Sequence, residues 1–138
     1  MKRKVLPPYH VKTSTSEKKL ISTVKEQFIQ LKKEEVTIIP YGFTILGDKT
    51  SKLIPQVELA NHQISLIKRL KLKAVELLKS SVIEAAAIAY DAHVIDEEGI
   101  DKEALSVILV RTEKDVVQIN FPYVVADNEL VFGEWWVQ

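Results

Sequence analysis

The sequence contains no cysteine, which excludes disulfides, zinc–thiolate centres and cysteine nucleophiles together. Glycine is equally scarce, with four in 138 residues, and Gly42 and Gly47 do not form a phosphate-cradling loop. No G-x-S-x-G, H-E-x-x-H or Walker-type run is present. No apolar run approaches the ~18 residues that span a bilayer. The basic opening Met1-Lys-Arg-Lys is followed by no apolar core, so a signal peptide is not expected and a cytoplasmic location is. Only three histidines, His10, His62 and His93, are available as imidazole ligands or bases.

What is present is an ordinary globular balance, 46 % hydrophobic and 28 % charged, which argues against disorder. The net charge of zero hides two opposed halves. Met1–Tyr90 carries 16 Lys/Arg against 8 Asp/Glu, while Asp91–Gln138 carries 3 against 11, so the halves stand at +8 and −8. Such asymmetry speaks of partners or of internal attraction rather than of a reaction.

Periodicity then gives the elements. Residues 1–13 read as a mobile basic arm, and 14–138 as a single α+β domain. Ser14 followed by Glu17 has the form of a capping box, and Leu20, Val24, Phe28 and Leu31 form one helical face over 15–34, with Lys32 among the lysines off that stripe. Val36–Leu46 is β-branched and aromatic and ends in a Gly47–Thr50 turn, so it reads as a strand. Pro40 places that strand at an edge or a bulge. Residues 53–59 read as its return strand, with a helix from Pro55 as the alternative. Asn61 can cap a second helix over 62–80. Val82–Ile95, rich in alanine, reads as a strand because Asp91–Ile95 alternates, with continuation of the helix as the competitor. Strands over 105–112, 116–125 and 129–132 complete an antiparallel meander.

The order is α-β-β-α-β-β-β-β. It implies an α+β fold with an antiparallel sheet of about five or six strands and two helices packed on one face. By topology alone this order resembles small profilin-like or roadblock-like domains.

Four constellations could carry function. Asp91 and His93 share a strand face and could act as a carboxylate–imidazole pair with Tyr41, provided a pocket gathers Arg111 or Glu113. Tyr41 beside Gly42 and Tyr123 after Pro122 could flank a groove, or simply pack at strand ends. The only tryptophans, Trp135 and Trp136, are adjacent, and neighbours on a strand point to opposite sides. One of them is therefore a candidate for a partner or subunit contact, with folding back onto the core as the alternative. Lys68, Arg69, Lys71, Lys73 and Lys79 make the second helix basic. It lacks interleaved aromatics and a helix-turn-helix companion, so nucleic acid is disfavoured against a solvated face. The acids of Asp96–Asp101 lack the spacing of a calcium loop. These readings converge on a non-catalytic binding or regulatory module without cofactor or metal, a homodimer that binds a protein partner, such as a basic protein, through its acidic half. A small-molecule or metal-dependent enzyme around Asp91 and His93 is the alternative.

Overall fold

The computed structural model describes residues 13–54, 63–96 and 98–138. The element order is α1 (Thr15–Lys33), β1 (Tyr41–Leu46), β2 (Lys49–Leu53), α2 (Gln63–Lys79), β3 (Ala85–Ile95), β4 (Asp101–Val110), β5 (Val116–Ala126), β6 (Glu129–Phe132) and β7 (Trp136–Val137). The fold is α+β with one antiparallel sheet in the spatial order β2-β1-β3-β4-β5-β6, and β7 also pairs with β5. The expected order of elements is observed, with β7 added. The basic arm expected over 1–13 lies, apart from Thr13, outside the described residues, as does most of the return strand expected over 53–59.

The boundaries moved for identifiable reasons. Val36–Ile39 lies outside the ladder, which begins at Tyr41, directly after Pro40. A proline has no N–H to donate, so it stands outside the ladder. The return strand comes sooner than expected, over Lys49–Leu53, because Gly47 at φ +65° turns the chain within two residues. Asp127 and Asn128, at φ 51° and 64°, close the β5–β6 hairpin with both turn residues left-handed, the geometry that matches strand twist. α1 opens on the full capping box: Glu17 N–H donates to Ser14 Oγ at 3.1 Å, and Ser14 N–H donates to Glu17 Oε1 at 2.9 Å.

The helices do not share a face. Leu20, Val24 and Phe28 of α1 pack on Ala85, Ala87, Ala89, Leu105, Val107 and Leu109. Leu70 and Ala74 of α2 pack on Ala86, Ile88, Ile108 and Val110. On a strand, odd and even residues point to opposite sides, so α1 and α2 cover opposite faces and the sheet lies between them. The expectation of two helices on one face is thereby corrected. Its cause is legible in β3, where all five residues Ala85–Ala89 are buried. A strand covered on both faces reads as a continuous apolar run rather than an alternation.

Small side chains on β3 let the helices approach closely, and the same crowding reaches β1. A Cβ on Gly42 would stand 3.0 Å from Leu53 Cδ2 and 3.1 Å from the Ala87 carbonyl oxygen. Glycine at 42 is thus dictated by close approach across two ladder neighbours.

The two tryptophans illustrate the two-faced sheet. Trp136 stands opposite Asn120 on the α2 side, is 8 % exposed and packs with Val94 and Ala104. Trp135 packs against the α1-side core, with its ring 5.9 Å from Phe121. Neighbours do point to opposite sides, as expected, and each side offers cover.

Candidate functional site

At the carboxy end of α1, three elements meet around Asp91. Its Oδ2 is 2.8 Å from Lys32 Nζ, and its Oδ1 accepts the Tyr123 hydroxyl at 2.7 Å. Lys32 comes from the last turn of α1, Asp91 from β3 and Tyr123 from β5. The Tyr123 ring in turn meets Phe28 edge-on at 5.2 Å, and the Lys32 ammonium lies 5.1 Å over Tyr123 and 5.7 Å from Phe28. The helix spacing explains the placement. Leu20, Val24 and Phe28 are buried at steps of four, and the next step is Lys32, whose stem stays on the core side while its ammonium reaches Asp91. Lys32, expected off the apolar stripe of α1, instead extends it.

Protonation follows from this packing. Burial alone pulls the Lys32 ammonium down, but its contacts with Asp91 and Tyr123 outweigh that and hold it above the ordinary lysine value. Burial, then the hydrogen bond to Asp91, push the Tyr123 hydroxyl up to about 12, with Lys32 acting in the opposite direction. Burial also raises Tyr41, whose hydroxyl donates to the Val24 carbonyl at 2.8 Å. Both tyrosines are held protonated through neutral pH, and both Asp91 oxygens are occupied. The cluster pins α1 to the sheet.

A cleft of about 350 Å³ opens beside it, lined by Lys32, Val36, Thr37, Ile38, Asp91, Ala92 and His93. His93 is exposed, with Nδ1 3.7 Å from Asp101 Oδ1, too long for a hydrogen bond. Of the candidate residues, the structure thus gathers Asp91, Tyr123 and His93 near one cleft. Tyr41 faces the same side of the sheet but spends its hydroxyl on α1. Arg111 and Glu113 are elsewhere. Asp91 stands opposite Leu105 on β4, and Arg111 is six residues further along, roughly 20 Å at ~3.3 Å per residue. There Arg111 Nε donates to Glu17 Oε2 at 2.8 Å, tying the α1 cap to the sheet. Glu113 pairs with Lys79 at 3.1 Å on an exposed surface. The convergence on which the enzyme reading depended is not formed. Among the described residues, no three His, Asp or Glu side chains converge as metal ligands, and no helix is long and apolar enough to cross a membrane.

The charge halves are joined in part inside the molecule. Lys32–Asp91 and Lys79–Glu113 each link a basic helix to the acidic half; Glu17–Arg111 runs with the signs reversed. The rest of the acidic half is concentrated in a definite place. The β3–β4 turn and the β5–β6 turn lie at the same end of the antiparallel sheet, since β4 departs from the first and β5 arrives at the second. This end carries Asp96, Glu98, Asp101, Glu103, Asp127 and Glu129, with Lys102 bound to Asp96 at 2.9 Å. Among them stand Ile95, Ile100, Val124, Val125 and Val131, each 51–64 % exposed; Val124 and Val131 are cross-strand partners on the α2 side, whereas Ile95 and Val125 face the α1 side. Residue spacing alone did not single out these five, because their grouping depends on the strand register.

Comparison with protein-family models, with curated proteins and with solved structures yields no match, so the site stands on its own geometry.

Proposed function

We propose that this protein is a non-catalytic binding or regulatory module that engages a basic protein partner through the acidic end of its sheet. One observation carries the reading: two acidic turns share one end of the sheet, and beside them Val124 and Val131 are exposed cross-strand partners on one of its faces. Scattered apolar residues are normal on a surface, but a group of them rimmed by charge of one sign is the anatomy of an interaction site. The acids would steer a basic partner, and the aliphatic centre would hold it. Self-association, as a homodimer, is the second part of the proposal. The cluster at Lys32, Asp91 and Tyr123 positions this end by fixing α1 against β3 and β5.

The test is titration with a lysine-rich amphipathic polypeptide, followed by intrinsic fluorescence at low salt and at 0.5 M salt. Saturable binding that weakens with salt, and weakens further in the Val124→Asp variant, supports the reading. Absence of binding at both salts, or binding unchanged by Val124→Asp, overturns it.

A further inference from the structure

The two lateral edges of the sheet carry opposite charge. β2, one outer strand, has Lys49 and Lys52 exposed and no acid within it. The other outer edge runs through β6 into the Gly133 bulge, where Gly133 N–H donates to the Pro122 carbonyl oxygen at 2.7 Å. It exposes Glu129 and Glu134, continues from Asp127 in the preceding turn, and carries no base. None of these five charged side chains has an ion-pair partner among the described residues.

Every neighbouring pair along the sheet is antiparallel, and the path from β2 to β6 contains six strands. The outer strands therefore run in opposite directions. A second copy placed beside the first in the same orientation, with its α1 and α2 on the same sides, sets its β2 antiparallel to β6. Pairing of like edges about a two-fold axis would also be antiparallel. It would, however, oppose Glu129 and Glu134 with their own kind, or Lys49 and Lys52 with theirs, and directly opposed like charges destabilise a ladder.

From this we infer that copies of this chain associate head to tail, the basic β2 edge of one adding to the acidic β6 edge of the next. This rests on the self-association part of the proposed function but replaces its closed homodimer by a heterologous contact, so that each terminal copy keeps one free edge. The paired segment is four to five residues, roughly 14–17 Å of strand. That is far short of a standard interface, so the association is weak and concentration-dependent.

Sedimentation velocity across a concentration series tests it, with melting curves confirming that each variant is folded. The wild type at low salt sediments faster as concentration rises and grows past the dimer, and 0.5 M salt abolishes this. The variants Lys49→Glu/Lys52→Glu and Glu129→Lys/Glu134→Lys each lose at least 5-fold in association constant alone. Mixed in equal amounts, they recover it, since one then has two acidic edges and the other two basic ones. A closed dimer indifferent to both variants overturns edge pairing while leaving self-association intact. A wild type that stays monomeric at millimolar concentration and low salt overturns both.

Discussion

Replacing Asp91 by alanine tests the cluster that holds α1 on the sheet. The substitution removes the acceptor of the Tyr123 hydroxyl, a residue only 4 % exposed, and the anion beside Lys32, whose side chain is 29 % exposed. An orphaned buried donor costs about 1–3 kcal/mol, and a lost hydrogen bond to a charged group about 1.5–3. Partial exposure of the ion pair discounts the second figure toward its lower end, so the total is about 2–4 kcal/mol. For a chain of this length that corresponds to roughly 6–14 °C in Tm. Tyr123→Phe removes only the hydroxyl and leaves Lys32 paired, so it costs about 1 kcal/mol. Lys32→Met keeps the apolar stem and falls between the two. Urea denaturation of the three variants, with the Lys32→Met/Asp91→Ala double variant, gives the coupling directly. If Asp91→Ala costs no more than Tyr123→Phe, or the coupling is below about 0.3 kcal/mol, additivity holds and the three side chains do not act as one unit.

Three further predictions follow from separate parts of the molecule. Phe28→Ala, at the centre of the α1-side core and fully buried, costs about 3–5 kcal/mol by chemical denaturation, whereas Glu113→Gln, in the exposed pair with Lys79, changes stability by less than about 0.5. Gly42→Ala is destabilising by about 1–3 kcal/mol; Leu53→Val, which removes Cδ2, recovers only part of this, because the Ala87 carbonyl remains in contact range. Tyr123, raised to about 12, and Lys32 and Tyr41, also raised, are more protonated folded than unfolded. Their contribution is complete below pH 10 and is lost as pH rises through the folded values. Ultraviolet titration should therefore show part of the tyrosine absorbance change delayed beyond pH 11 and coincident with unfolding, and a single ordinary transition near pH 10 contradicts this.

Fold class and element order were legible because local signals survive in isolated segments: the capping box, the steps of four along α1, and the β-branched runs between the turns of the meander. The assignment of helices to faces was not drawn from the sequence, although the signal was there. Ala85–Ala89 is apolar at every position, and that continuity marks burial on both sides of a strand. Reading Trp135 and Trp136 as needing one exposed member rested on the same one-sided sheet, and a second covered face removes the need. The site was half legible. Asp91 stood out beside His93 on a strand face and Tyr123 beside Pro122, but Lys32 was placed off the apolar stripe, whereas a long amphipathic side chain can continue a core stripe while keeping its charge at the rim. Arg111 and Glu113 could not be separated from Asp91 without the β3–β4 register, which carries them to the far end of the sheet. The acidic, aliphatic end depends entirely on topology: Val124 and Val131 become exposed partners beside both acidic turns only when two hairpins turn at one end.

That end is the proposed binding surface, and backbone amide shifts recorded during titration with the lysine-rich polypeptide test it most directly. Perturbations are expected to concentrate at Ile95–Glu103 and Val124–Val131 and to fade at 0.5 M salt, with α2 and the Arg111–Asp115 turn unmoved. Perturbations centred on α2, on β2, or spread evenly over every exposed acid would contradict it.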